Sequence, residues 1–346
     1  MSNKHQYEFA IIIGRFQPLH KGHVYLIKSA LLHAKKILIL LGSSYRARSV
    51  RNPFLFTERK NIIIQEINKN IFKYKNKIII DFIEDIMYSN KIWINMVINK
   101  VKKYVKIDKN IILVGYKKDK TSKYLSFFKR WYFCSIKNYQ SINASGIRKC
   151  YFIYKMIQEK YLPESSIDFL KKFFFTNNYK KLRKEALFIQ NYKNKWIFSP
   201  YPIIFFTIDT LLTINNNLLL IKRKTYPGKN LWALPGGFLK ENEPIHIGLL
   251  RELKEETSIN LDNKTLLKNI QKKHIFDHPK RSQLGRIISF AFWINLKNKN
   301  LPYIHENSDA KKVLWIPLKK IYLFKNKMHD DHYYIIQKFN IFKFLN

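Results

Sequence analysis

The chain is expected to fold as two successive domains, a doubly wound α/β domain followed by an α+β domain. Three observations lead there. Short apolar runs alternate with helical patterns through the first half; strand patterns vanish over residues 162–196; β-type runs then return after Pro200 and Pro202 around one helix. With 346 residues the chain can bury two cores of ordinary size.

Residues 9–13 form a first short apolar strand, followed by a helical pattern over 23–35, a second strand at 37–41 and a helix over 57–68 that carries Glu58 and Arg59 in its first turn. Further strands are expected at 78–82, 111–114 and 131–136, with helices at 92–105 and 122–128 and another beginning at Ser145. Apolar strands separated by helices of this length imply a parallel sheet covered on both faces. The right-handed crossover rule then gives a Rossmann-like order. Pro163 followed by Ser165 and Asp168 predicts a helix start with a variant capping box, and residues 169–195 read as basic helix. The first domain is therefore drawn as residues 1–190, connector included, and the second as 197–346. Strands are expected in the second at 203–209, 218–222, 287–294 and 313–316.

Composition limits what the protein can be. The hydrophobic share of 46% is ordinary for a globular chain. No run approaches the roughly 20 apolar residues of a membrane span, and the apolar run at 9–13 is too short for a signal sequence. Two cysteines, Cys134 and Cys150, cannot build a disulfide framework or a cysteine-rich zinc site. A reduced, cytoplasmic protein without a membrane partner is expected. The balance of 64 Lys+Arg against 24 Asp+Glu gives a formal charge of +40. That excess is spread along the chain together with Ile, Asn, Phe and Tyr, all read from A/T-rich codons. Genome composition accounts for it, and with no nucleic-acid module in view a nucleic-acid partner is not expected. The positive field still favours phosphorylated substrates.

Gly14-Arg15-Phe16-Gln17-Pro18-Leu19-His20-Lys21-Gly22-His23 closes the first strand and opens the first helix. Glycines there let the backbone turn and approach a ligand. The helix N-terminus offers N–H groups to phosphate, and two imidazoles at i and i+3 can donate to phosphate oxygens as charge develops. The bland reading, a zinc site or incidental histidines, lacks further ligands nearby. The run resembles the GxFxPxHxGH signature of the nucleotidyltransferase superfamily. Ile142-Asn143-Ala144-Ser145-Gly146-Ile147-Arg148 resembles its second signature, ISSTxxR, with Ser145 keeping the hydroxyl and Asn143 departing. Ser43-Ser44, Arg51-Asn52-Pro53-Phe54, Glu58-Arg59 and residues 115–125, with Lys118-Asp119 and Tyr124-Leu125, are similar to nicotinamide-mononucleotide adenylyltransferases of the kind fused to Nudix domains. That resemblance implies ATP held by Gly14, Arg15, Phe16, Ser145 and Arg148. It implies nicotinamide mononucleotide held by Asp85, Asn90 and Trp93, although Trp93 alone also reads as a core aromatic. His20, His23 and Arg148 are the implied catalytic groups, acting on in-line attack at the α-phosphorus with release of pyrophosphate.

Residues 237–259 contain Gly237, Glu243, Arg251-Glu252-Leu253, Glu255-Glu256 and Ile259. Glu252, Glu255 and Glu256 lie at i, i+3 and i+4, so a helix puts three carboxylates on one face. Carboxylates so crowded call for a hard cation, Mg2+ or Mn2+. A solvated acidic face is the bland alternative, and it is hard to sustain in so basic a chain. The spacing matches the Nudix box at every position except Ser258, which replaces the final glycine. Membership implies metal held by Gly236, Glu252, Glu255 and Glu256, catalysis by Glu255 and Glu256, and supporting roles for Glu243 and Arg251. Ser258 is expected just past the helix end, where glycine is favoured, with no loss of a metal ligand.

The flanks resemble ADP-ribose pyrophosphatases: Lys222-Arg223-Lys224, Pro227-Gly228-Lys229, residues 231–237, Phe276-Asp277-His278-Pro279, Arg281, Gly285-Arg286, Ser308-Asp309-Ala310 before Trp315, and Asp330-Asp331-His332. Both halves together resemble the bifunctional nicotinamide-mononucleotide adenylyltransferase/ADP-ribose pyrophosphatase family, which implies ATP, nicotinamide mononucleotide and ADP-ribose as substrates. Oligomeric state stays open, a homo-oligomer included. A second enzymatic reading keeps the folds but takes another acceptor, with NADH, capped RNA or an oxidised nucleotide at the second site. A third is a DNA-acting regulator with one inactive site; the complete HxGH, the intact carboxylate box and the lack of a winged-helix pattern after residue 316 argue against it.

Overall fold

The computed structural model describes residues 6–105, 110–116, 127–128, 131–137, 139, 141–297, 300–306 and 310–341. It separates into two compact units, Met1–Ala186 and Leu187–Asn346. In the first, β1 (Tyr7–Gly14), β2 (Ala34–Leu41), β3 (Ile78–Phe82), β4 (Ile111–Gly115) and β5 (Tyr132–Ser135) form a parallel sheet in the order β3-β2-β1-β4-β5. The helices are α1 (Lys21–His33), α2 (Phe56–Asn70), α3 (Asn90–Lys102), α4 (Ala144–Ile153), α5 (Glu164–Phe174) and α6 (Asn177–Asn194). Alternation along β1 and β2 explains why these strands read as unbroken apolar runs. Ala10, Ile12, Ile37, Ile39 and Leu41 pack with α1 and α2, while Phe9, Ile11, Leu38 and Leu40 pack with Val97 and Val101 of α3. Both faces are therefore buried. The chain reverses its direction of growth between β1 and β4, and the carboxyl ends of those strands open the crevice where such sheets bind ligands.

Local chemistry moves some boundaries. Pro163, not Ser165, is the residue that caps α5. Ser165 is buried and donates instead to Glu66 Oε2 at 2.9 Å. The expected continuous helix over 169–195 breaks after Phe174, because Thr176 Oγ1 accepts the Tyr179 N–H at 3.1 Å and starts α6. The helix expected at 122–128 falls, for residues 122–126, outside the described residues. The division between units lies within α6: the Phe188 ring meets Tyr226 at 6.3 Å and the Tyr192 ring meets Phe205 at 5.8 Å, both tilted, so the last turns of the helix belong to the second unit.

The second unit contains β6 (Ile204–Ile214), β7 (Asn217–Arg223), β8 (Trp232–Ala233), β9 (Gly236–Phe238), α7 (Ile245–Thr257), α8 (Asn263–Lys268), β10 (Ile270–Phe276), β11 (Arg286–Leu296), β12 (Ala310–Pro317) and α9 (His332–Phe339). The sheet runs β10-β11-β6-β7-β12, with β8 on β7 and β9 on β6. Pairing of β6 with β11 is parallel and every other pairing antiparallel. The expected central helix is α7, whose Leu249, Leu250 and Leu253 pack on Ile208, Leu212 and Ile221. Against the expectation of one helix, α8 and α9 flank the sheet as well; Phe339 of α9 meets Phe276 of β10 at 6.0 Å. Among the described residues no helix is long and apolar enough to cross a membrane.

Candidate active sites

The first site is built on the turn from β1 to α1. A Cβ on Gly14 would sit 2.9 Å from the Phe16 ring, so only glycine lets the chain fold back there. Phe16 adopts φ 51 and is buried, a left-handed backbone held by its surroundings. Gln17 clamps the turn from its other side, exchanging two hydrogen bonds with the Phe54 backbone at 2.9 and 3.0 Å. The two imidazoles then meet at the helix start. His20 and His23 stack with centroids 3.6 Å apart, and His23 lies 4.3 Å from Phe16. His23 Nδ1 accepts from the His20 backbone N–H at 3.3 Å. Gly22 leaves this room, since a Cβ would come within 3.1 Å of the His20 ring.

Arg148 reaches the same turn from α4. Its guanidinium donates to the Gln17 carbonyl at 2.7 Å and to Ser145 Oγ at 3.1 Å. Burial, with Arg15 and Arg51 adding like charge, lowers Arg148 to about 9; a buried cation in cationic company is a place for an anion. Asn143, where the signature departs, is the N-cap of α4 and accepts the Gly146 N–H at 2.7 Å, which a serine there would also do. Asp85 accepts from the Ser43 N–H at 3.2 Å and from Arg46 at 3.3 Å, and its charge also acts on Arg15. Trp93 is half-buried, with Nε1 donating to the Glu84 carbonyl at 3.1 Å and its ring edge-on to Phe128 at 5.9 Å. Asn90 starts α3 and is exposed. The structure thus gathers Phe16, His20, His23, Ser145 and Arg148 around one turn and sets Asp85 and Trp93 beside the loop after β3. Lys118, Asp119, Tyr124 and Leu125 lie outside the described residues.

The second site joins β9 to α7. A Cβ on Gly236, whose φ is 153, would lie 2.0 Å from the Ile208 carbonyl oxygen, and one on Gly237 would lie 2.6 Å from the Glu252 carboxylate. The double glycine is therefore a steric demand of strand and carboxylate together. Glu256 is buried and accepts the Gly236 N–H at 2.8 Å. Arg251 binds Glu243 through two nitrogens at 2.8 and 2.5 Å, and reaches Glu252 at 2.7 Å and Glu255 at 3.0 Å. That pairing holds the Glu243 carboxyl down at about 2. Glu252 is pushed the other way, above the ordinary carboxylate range, because it is desolvated. Among the described residues no group of three or more His, Cys, Asp or Glu converges as a ready-made metal cage. The donors nevertheless suit a hard cation. Oxygen ligands share one helix face, one of them is desolvated, and Arg251 already draws two of them toward one positive charge. Ser258 follows α7 with φ 49, the left-handed position, and its N–H reaches the Lys254 carbonyl at 2.9 Å. Ser308 and Asp309 lie outside the described residues.

Comparison with known proteins agrees with this geometry. Residues 11–149 match the cytidylyltransferase-like family model and residues 207–339 the NUDIX domain model. The nicotinamide/nicotinic acid mononucleotide adenylyltransferase of Acinetobacter baylyi is 31% identical over 183 residues, spanning 52% of this chain and 94% of that protein. An ADP-ribose pyrophosphatase of Methanocaldococcus jannaschii is 32% identical over 132 residues, 38% of this chain and 70% of that one. A crystal structure of a bifunctional NMN adenylyltransferase/ADP ribose pyrophosphatase from Francisella tularensis, complexed with AMP and a manganese ion, superposes with a TM-score of 0.92. It has 34% identity and covers 96% of this chain and 98% of that one. The chain belongs to this bifunctional family. It therefore pairs a nucleotidyltransferase domain with a Nudix hydrolase domain, the latter a class that uses divalent metal.

Several residues that shape the adenylyltransferase and pyrophosphatase sites carry no local sequence signal. Ser166 of α5 donates to the Leu19 carbonyl at 2.9 Å, and the Tyr116 hydroxyl donates to the Gly22 carbonyl, so both brace the histidine turn from far along the chain. Arg59, by contrast already part of the sequence resemblance, is buried and donates to the carbonyls of Arg15 and Gly42 at 2.5 and 2.8 Å; burial lowers it to about 10. In the second unit the missed residue is Asp209, buried and paired in register with Gly236. The one charge in a strand otherwise made of apolar residues and threonines is the signal that could have found it.

Proposed function

We propose that the chain catalyses two reactions of NAD metabolism. One transfers AMP from ATP to nicotinamide mononucleotide, giving NAD and pyrophosphate; the other hydrolyses ADP-ribose to AMP and ribose 5-phosphate. The observation that carries this reading is the presence of both constructions in one chain: the stacked His20–His23 pair braced by Arg148, and the Gly236–Glu256 contact beside the Arg251-tied carboxylates.

At the first site Gly14, Arg15, Phe16, Ser145 and Arg148 hold ATP, and Asp85, Asn90 and Trp93 hold the mononucleotide. His20, His23 and Arg148 donate to phosphate oxygens as negative charge builds, without a covalent intermediate. At the second site Glu252, Glu255, Glu256 and the Gly236 carbonyl would hold a divalent ion, Mg2+ with Mn2+ as a substitute. Such an ion would neutralise the diphosphate and lower the pKa of an attacking water. Glu255 and Glu256 act on that water from the helix, the general base being drawn from the box or from a loop, while Arg251 and Glu243 keep the helix face in place. Two free thiols, Cys134 and Cys150, fit residence in a reducing cytoplasm. The test is incubation of the whole protein with ATP and nicotinamide mononucleotide, and separately with ADP-ribose, each with Mg2+. The reading fails if the folded protein consumes neither.

A further inference from the structure

The second unit buries a set of polar side chains on the face of β6 opposite α7. Asp209, Arg281, Ser289, Asp331 and His332 are all buried. Arg281 forks onto Asp331 at 2.9 and 3.1 Å and reaches Asp209 at 3.4 Å, and Ser289 Oγ also donates to Asp209. Burying charge this deeply brings no assured gain in stability, so the arrangement calls for another account.

The backbone beside it supplies one. The segment that leads into α9 runs along residues 232–234: Met328 bridges Trp232 in parallel, and the His329 N–H donates to the Trp232 carbonyl at 2.8 Å. That pairing cannot continue, because the chain turns into α9 at His332. The Leu234 N–H, fully buried, would face a missing acceptor. His332 fills the gap with its ring, Nδ1 accepting from Leu234 N–H at 3.1 Å. Its proton is therefore on Nε2. Asp209 Oδ1 lies 3.9 Å from Nδ1, and Asp331, fixed by Arg281, immediately precedes the ring in the chain.

Two residues past Leu234 stands Gly236, paired in register with Asp209 and donating to Glu256. We infer that His332 is a positioning residue for the hydrolase site: it fixes the Leu234–Pro235–Gly236 backbone, and through it the Gly236 carbonyl and Glu256, with the Arg281–Asp331 pair holding the ring in place. This rests on the ADP-ribose pyrophosphatase reading for its metabolic meaning, but not for its geometry. The Asp330-Asp331-His332 run thereby acquires a role remote from the box.

The test uses the full chain as wild type, His332→Ala, His332→Asn and His332→Gln, with amide exchange at Leu234 and calorimetric Mn2+ binding measured without substrate. An asparagine amide oxygen falls near the place of Nδ1, and a glutamine oxygen near that of Nε2. Expected are faster Leu234 exchange and Mn2+ affinity weakened on the order of 10-fold in His332→Ala, the scale for groups that orient metal ligands. His332→Asn restores both and His332→Gln neither. Should His332→Ala not fold, the asparagine–glutamine pair decides alone. Unchanged exchange, unchanged Mn2+ affinity, or equal loss in Asn and Gln overturns the inference. A wild type that binds Mn2+ but leaves ADP-ribose intact overturns the substrate reading alone.

Discussion

Arg148 Nη1 donates to the Gln17 carbonyl at 2.7 Å, fastening the start of α4 to the turn that carries His20. The same guanidinium reaches Ser145, a geometry that needs a planar fork. Arg148→Lys keeps the charge and loses the fork. Adenylyl transfer in this variant is expected to fall by about 100-fold or more, the scale for removing one preorganised donor. Pyrophosphate release from ATP and nicotinamide mononucleotide measures it, and wild-type turnover in the variant would contradict the role.

The two sites are expected to fail separately. His20→Ala should lower the first reaction by at least about 100-fold, and Glu255→Gln should do the same to ADP-ribose hydrolysis. Each should leave the other reaction within about twofold of wild type, as independent sites do. Assaying both products from each variant is sufficient. Loss of both in either variant contradicts independence.

Acid should loosen the second unit through Glu243. Its carboxyl is lowered from 4.5 to about 2 by hydrogen bonding to Arg251. A depressed carboxyl stabilises the fold fully above its unfolded value, and that contribution disappears as pH falls from 4.5 toward 2. Calorimetric melting across this window should show a steep drop in wild type and a shallower one in Glu243→Gln. Parallel curves would place the acid sensitivity elsewhere.

Ser258→Gly should stabilise rather than harm. Ser258 sits at φ 49, where a Cβ costs about 1 kcal/mol that glycine does not incur. The melting temperature of the second unit should rise while ADP-ribose turnover stays unchanged. A fall in melting temperature would show that the serine side chain contributes more than its backbone strain costs.

What the sequence made legible follows from what was local. The first sheet was readable because its central strands are buried on both faces, and the carboxylates of α7 because their spacing is itself the helical period. β10 was not, since Lys272 and Lys273 on this edge strand break the apolar pattern. β8 and β9 are too short for any period to show. Ser166 was invisible as a site residue, and Tyr116 and His332 showed only within segments of family resemblance, for a different reason. Each acts on a backbone group 94 or more positions away, and only the fold brings donor and acceptor together.

The parallel ladder between β6 and β11 has a consequence for how the molecule is made. Ile204 pairs with Arg286 and Ile214 with Leu296, so the opening strand of the hydrolase half lacks its long partner until residue 296 has left the ribosome. The transferase half starts from β1 and β2, joined by a single helix, but the other edge of β1 waits for β4, with Phe9 pairing to Ile111. Distant pairings slow folding and prolong the exposure of unpaired edges. During synthesis, then, a central strand in each half keeps one edge unpaired until a partner made much later emerges.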